Sequence, residues 1–178
     1  MIFTETKLKG SYVIESEMVE DERGFFARTF CQEKFKARGL NPRVVQCSIS
    51  FNKKKGPLRG MHYQVAPYQE AKLVSCVRGA IYDVLIDLRP DSPTYCHWFA
   101  GELSAENYKM LCIPEGFAHG FQILENNTVV FYQMSEFYHP ESTRGVRWND
   151  PLFGIIWPLE PHCISTRDAS YPLTNRLG

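Results

Sequence analysis

The sequence has no run of apolar residues approaching the roughly 20 that a membrane-spanning helix needs. Its first ten residues, Met1–Gly10, carry Glu5, Lys7 and Lys9 and lack the apolar core of a signal peptide. No membrane contact is expected, and the cytoplasm is the natural compartment. There is no excess of charge either: 20 basic residues balance 20 acidic ones. Nucleic-acid binders normally carry a basic surplus, so that class of partner is disfavoured. A small anionic ligand remains open, because a few arginines in one cleft suffice to hold it. The six cysteines, Cys31, Cys47, Cys76, Cys96, Cys112 and Cys163, form no C-x-x-C pair. Zinc knuckles and dithiol redox motifs are therefore not signalled, and the thiols read as small hydrophobes. Repeats, low-complexity tracts and linkers are also missing. A chain of 178 residues with 44 % apolar content suits one domain, residues 1–178.

What is present is a series of short apolar runs punctuated by glycine and proline, the signature of strands joined by turns. The candidates are Tyr12–Val19, Arg43–Phe51, Lys72–Val77, Ala80–Leu88, Tyr95–Leu103, Lys109–Ile113, Phe117–Ile123 and Thr128–Glu136. Their even spacing predicts an all-β sandwich or barrel of antiparallel strands. Helix is expected at Cys31–Arg38, where Gly39 can end it, and in short pieces near the C-terminus.

Alternation along a strand says which side chains share a face. In Ala80–Leu88, Ile81, Asp83, Leu85 and Asp87 point one way, and two aspartates on that face are odd for a plain core. His62 and Gln64 share parity, as do Tyr132, Met134, Glu136 and Tyr138 if their strand stays regular. One barrel interior could thus collect His62, Gln64, Tyr132 and Tyr138.

Pro114-Glu115-Gly116-Phe117-Ala118-His119-Gly120 matches the P-x-G-x-x-H element of cupin barrels. In metal cupins that histidine joins an H-x-H pair and a glutamate. Here the corresponding segment reads His62-Tyr63-Gln64, and an amide is a poor ligand for borderline metals. Glu70 remains, but His119, His62 and Glu70 make a weak set, so neither a metal nor another cofactor is expected.

Several further segments sharpen the resemblance. They are Asp21-Glu22-Arg23-Gly24-Phe25-Phe26, Lys55-Gly56-Pro57-Leu58-Arg59-Gly60-Met61-His62-Tyr63-Gln64, Lys72-Leu73-Val74, Gly79-Ala80-Ile81-Tyr82-Asp83-Val84, Trp148-Asn149-Asp150 and Trp157-Pro158. Together with the Pro114–Gly120 element they run in order from about residue 20 to about residue 170. The set resembles the deoxythymidine-diphosphate 4-dehydrorhamnose 3,5-epimerase family.

That resemblance implies a cupin-like antiparallel jelly roll with a few short helices, a homodimer, and a metal-free site inside the barrel. His62 would be the general base that removes a proton beside a sugar ketone. Histidine suits this work because its unperturbed pKa of about 6.5 lies near neutrality. Asp168 would orient the ring and stabilise its charged form. Lys72 would stabilise the enolate oxygen, and Tyr132 would be the acid on the opposite face of the sugar. Arg23 and Arg59 suit a diphosphate. Arg23 and Phe26 would come from the neighbouring subunit, with the first ~30 residues forming part of the dimer interface. Tyr138 would stack on the nucleobase, and Gln46 and His119 would hydrogen-bond base or sugar.

Four positions depart from the family pattern. Arg28 stands where a glutamate is usual, Ser48 where an asparagine is usual, Thr143 where a glutamate is usual, and Arg167 where a lysine is usual. All four fall on the ligand-gripping side. A carboxylate suits the N3 donor of thymine, whereas an arginine suits the N3 acceptor of cytosine. A cytidine-linked sugar is thus one alternative substrate, and phosphate binding by Arg28 is the other reading. Inversion of one carbon only, a 3,4-ketoisomerase, a non-catalytic sugar-nucleotide binder and a metal-cupin oxygenase are the competing functions. The Leu58–Gln64 motif argues against the ketoisomerase. Retention of His62, Lys72, Tyr132 and Asp168 together argues against the binder, and Gln64 argues against the oxygenase.

Overall fold

The computed structural model describes residues 1–174. Two antiparallel sheets face one another. The first has six strands in the order β1 (Ile2–Glu5), β2 (Tyr12–Glu15), β10 (Lys109–Ile113), β7 (Lys72–Arg78), β12 (Thr128–Met134), β5 (Gln46–Asn52). The second has five, in the order β13 (Thr143–Gly145), β6 (Leu58–Gln64), β11 (Phe117–Ile123), β8 (Ala80–Asp87), β9 (Trp98–Ser104). Strands adjacent in sequence often lie in opposite sheets, as β10 and β11 do. This is the crossing pattern of a jelly roll.

Alternation decides which side chains fill the space between the sheets. Val74 and Cys76 of β7, Ile81 and Leu85 of β8, Leu111 and Ile113 of β10, and Phe117, Phe121 and Ile123 of β11 form one buried cluster. The opposite parity of the same strands packs outward. Leu73, Met110 and Cys112 meet Phe35 of helix α1 (Gln32–Lys36). Val84, Ile86 and Ala118 are covered by Val146 and Phe153 of the C-terminal segment. Both faces of the central strands are therefore dry, which is why they read as nearly continuous apolar runs.

The all-β expectation agrees with this architecture, and Lys109–Ile113 and Phe117–Ile123 match their strands residue for residue. The single run Tyr12–Val19 does not. It divides into β2 and β3 (Met18–Asp21), because β2 pairs with β1 and β10 while β3 pairs with β4 (Gly24–Ala27) as a separate hairpin. The polar triplet Glu15-Ser16-Glu17 interrupts the apolar run where the strand divides, and the choice of partners follows from pairing over long distances. Strand β6 also lies outside the expected strand set, since its arginine, glycine and histidine dilute the apolar pattern. Helix α1 is shorter than Cys31–Arg38, and Gly39 adopts φ +68° just beyond it.

One close approach fixes the centre of the second sheet. Gly60 has φ +118°, and a Cβ there would lie 2.5 Å from the Gly120 Cα and 2.8 Å from the His119 carbonyl oxygen. The two glycines let the backbones of β6 and β11 touch where each strand presents its histidine. No helix among the described residues is long and apolar enough to cross a membrane.

Candidate active site

The sheets diverge at one end of the barrel and leave a cavity of about 830 Å³ that includes Ser50, Arg59, His62, Lys72, His119, Tyr132, Arg167 and Asp168 in its wall. A smaller lobe of about 290 Å³ adjoins it and adds Gln46, Ser48, Gln64, Tyr138 and Thr143. His62, Lys72, Tyr132 and Arg167 border both lobes. The combined space is the size of sites that enclose small organic ligands.

His62 projects from the middle of β6, with His119 of β11 as its Cα partner on one side and Gly145 of β13 on the other. Its Nε2 donates to Asp168 Oδ1 at 2.6 Å. Asp168 arrives from the far end of the chain on the short helix α2 (Thr166–Ser170). Ser165 caps that helix, its hydroxyl accepting from the Asp168 amide at 3.0 Å. The second carboxylate oxygen accepts from the Gly60 amide at 3.2 Å. Burial opposes ionisation of Asp168, but the bonds and charge of His62, the Gly60 amide and Ser165 outweigh it and hold the carboxyl below the ordinary aspartate value. An ionised Asp168 fixes the imidazole orientation.

Lys72 opens β7, and its ammonium lies 2.9 Å from Glu70, with both side chains largely enclosed. Tyr132 enters from β12, its ring 6.4 Å from that of His119 and 6.2 Å from that of Phe121. Burial pushes its phenol far above the ordinary tyrosine value. The Asp83 carboxylate adds to this, while Arg59 and a Ser50 hydrogen bond oppose it. Tyr132 is therefore held in its protonated form, the form an acid needs.

The gripping residues divide into two groups. Arg59 donates from Nε to Asn52 Oδ1 at 2.8 Å, which turns its guanidinium along the cavity wall. Gln46 Oε1 accepts from the Tyr138 amide at 3.1 Å and so holds the segment bearing that ring. Ser48 and Thr143 line the smaller lobe. Arg23, Phe26 and Arg28 stand apart. Arg23 pairs with Asp21 on the surface, Phe26 is 70 % exposed, and the Arg28 carbonyl accepts from Ser16. None of the three borders either lobe within this chain.

His119 is more enclosed than an ordinary ligand-binding residue. Its Nε2 donates to Asp83 Oδ1 at 2.6 Å, and Asp83 is fully buried. Gln64 is spent on structure: its amide donates to the carbonyls of Tyr68 and Phe137 and accepts from the His139 amide. With Glu70 committed to Lys72, the positions that hold metal in related barrels have other partners. No group of three potential metal ligands forms among the described residues.

Residues 5–176 match the family model for dTDP-4-dehydrorhamnose 3,5-epimerase. The dTDP-4-dehydrorhamnose 3,5-epimerase of Methanothermobacter thermautotrophicus is 47 % identical over 158 residues, covering 89 % of this chain and 84 % of the relative. The crystal structure of the enzyme of that name from Elizabethkingia anophelis NUHP1 superposes with a TM-score of 0.94 at 40 % identity, covering 97 % of this chain and 95 % of the other. The chain belongs to the dTDP-4-dehydrorhamnose 3,5-epimerase family. These epimerases include a dTDP-6-deoxy-D-glucose 3,5-epimerase from Legionella pneumophila Philadelphia 1 solved with dTDP-4-keto-L-rhamnose. It superposes with a TM-score of 0.91 at 37 % identity, covering 99 % of this chain and 94 % of that one.

The family's barrel explains why the cavity is built from both sheets, and the structure adds residues that motif reading missed. Asn52 orients Arg59, Ser50 bonds Tyr132, and Tyr171 contacts both His62 and Arg167. Asp83 had a signal, since its parity set a carboxylate facing the barrel interior. The other three had none, because each meets its partner through the packing of separate elements and not through a sequence motif.

Proposed function

We propose that this protein inverts C3, C5 or both in a nucleotide-diphosphate 4-keto-6-deoxyhexose, with a thymidine carrier, by proton abstraction through an enolate. The observation that carries the proposal is the origin of the cavity walls. His62 comes from the five-stranded sheet and Tyr132 from the six-stranded sheet. A sugar ring lying between the sheets has a base toward one face and a protonated phenol toward the other. Epimerisation needs this arrangement, because the proton leaves one face and returns to the opposite one. Lys72 borders the same cavity from the start of β7, where its charge would stabilise the oxyanion that forms at C4.

Tyr138, Gln46 and Ser48 in the smaller lobe suit the nucleobase, and Arg59 and Arg167 suit the phosphates. The exposed hairpin bearing Arg23 and Phe26 supports completion of the site by a second copy of the chain. So does the outer face of the sheet's β5 edge, where Ile49 is 70 % exposed and Phe51 50 %. Arg28 belongs to the same hairpin region, so its influence on the carrier would be exerted on the partner's site. The thymidine carrier named in the relatives is the reading adopted over a cytidine one.

Incubating the protein with dTDP-4-keto-6-deoxy-D-glucose in deuterated water and following C3 and C5 by NMR tests the proposal. Exchange at one or both carbons without added metal is expected. A 3-keto product, or no exchange at either carbon, overturns it.

A further inference from the structure

We propose that Tyr171 is a positioning residue of this site, bracing the His62 ring edge-on and fixing Arg167 toward the ligand's diphosphate. The inference rests on the function proposed above. Helix α2 stops at Tyr171, whose extended backbone (φ −56°, ψ 137°) carries the chain away from the helix. Its carbonyl accepts from Arg147 Nε at 2.6 Å, which ties the residue to the segment following β13. The ring then folds back over β13. A Cβ on Gly145 would lie 2.3 Å from two Tyr171 ring atoms, so the ring occupies space that only a glycine leaves open. Gly145 is the Cα partner of His62. The tyrosine ring therefore reaches the imidazole edge-on, with centroids 6.1 Å apart and planes at 68°.

This contact supplies something Asp168 does not. A single hydrogen bond at Nε2 fixes one ring atom but leaves the imidazole free to swing about it. An aromatic edge packed beside the ring removes that freedom. The hydroxyl has a second task. It accepts from Arg167 Nε at 2.9 Å, and Arg167 shares the smaller lobe with Tyr138. With Nε held, the terminal nitrogens of Arg167 are directed along the cavity border that the two lobes share. Phenylalanine would fill the space over Gly145 equally well, so packing alone gives no reason for the hydroxyl.

The test compares wild type, Tyr171→Phe, Arg167→Ala and the double variant on dTDP-4-keto-6-deoxy-D-glucose. Wild-type turnover is read first, and its absence overturns the function itself rather than the role of Tyr171. With wild type active, Tyr171→Phe keeps the ring on Gly145 and loses only the acceptor. KM is expected to rise about five- to tenfold while kcat stays within about twofold. The KM effects of Tyr171→Phe and Arg167→Ala should be non-additive, because one acts through the other. Tyr171→Leu should in addition lower kcat about tenfold and slow deuterium exchange equally. Unchanged KM in Tyr171→Phe, or additive effects in the double variant, overturns the proposal.

Discussion

His62 and His119 sit opposite one another on neighbouring strands, and each donates from Nε2 to an aspartate 2.6 Å away. The surroundings separate them. The His62 side chain is 35 % exposed and its Asp168 6 %, whereas His119 is 5 % exposed and Asp83 wholly enclosed. Asp168 has both oxygens satisfied, one by the imidazole and one by the Gly60 amide. Asp83 Oδ2 has no partner among the described residues. Bond geometry is thus the same in the two pairs, both histidines border the cavity, and the exposure of their rings differs. A proton-transfer group must reach its substrate, and a structural pair must not be reached by water. Under the proposed function, turnover falls to the open pair and the closed one supports the barrel wall.

The largest expected effect is on the open pair. His62→Ala should lower kcat and deuterium exchange by about 10²–10⁴-fold, the range for losing a general base. The thermal midpoint should fall only modestly, because the ring is partly exposed and the buried Asp168 keeps its bond to the Gly60 amide. Steady-state kinetics beside a melting curve checks both. An active His62→Ala variant would break the comparison at once.

His119→Ala should behave the other way round. It strands the Asp83 carboxylate in the barrel, a change that costs about 3–5 kcal/mol for a buried pair. Urea titration should show the loss, while Asp83→Asn, which keeps an acceptor for His119, should cost much less. If His119→Ala were fully stable and inactive, the roles given to the two pairs would have to be exchanged.

How much of this contrast was legible in the sequence depends on distance along the chain. The inward parity of Asp83 and of His62 can be read from their own strands, because alternation is local. That Asp168 meets His62 across 106 residues is not local. Only the family pattern pointed to it, and helix α2 realises it through a five-residue element that composition alone does not mark. The same reasoning explains the hairpin. Within Tyr12–Val19 the polar triplet Glu15-Ser16-Glu17 marks where β2 ends, but which strands β2 and β3 then pair with is not written locally. His119 shows the limit of carrying roles over from a motif. The motif gives its identity and its inward direction, and the Asp83 contact that absorbs its nitrogen belongs to a strand pair.

Asp168→Asn gives a finer separation within the open pair. The amide still accepts from His62 but brings no charge to stabilise the imidazolium. A fall in kcat of about 10²-fold is expected, with KM little changed, since Asp168 acts on the base rather than on ligand binding. A KM effect as large as the kcat effect would show that Asp168 instead holds the ligand.

The smallest expected effect concerns acid, and it extends the contrast to a third buried aspartate. Asp87 lies on the same face of β8 as Asp83 but is fully bonded, by Arg89, Ser92 and Thr94. Burial opposes its ionisation, and these donors overcome it, bringing the carboxyl down to about 2. A carboxyl depressed on folding contributes stability that is present above the unfolded value, near 4, and disappears as pH falls toward 2. The corresponding contribution is about 2 kcal/mol. Asp168 is depressed as well, so its share is lost in the same direction. Urea midpoints measured between pH 6 and pH 2.5 should therefore fall with acidity in the wild type and fall less steeply in Asp87→Asn. His62→Ala should also flatten the slope, because it removes one of the bonds that keep Asp168 ionised. If Asp87→Asn left the slope unchanged, full hydrogen bonding would not be what distinguishes the aspartates of this barrel.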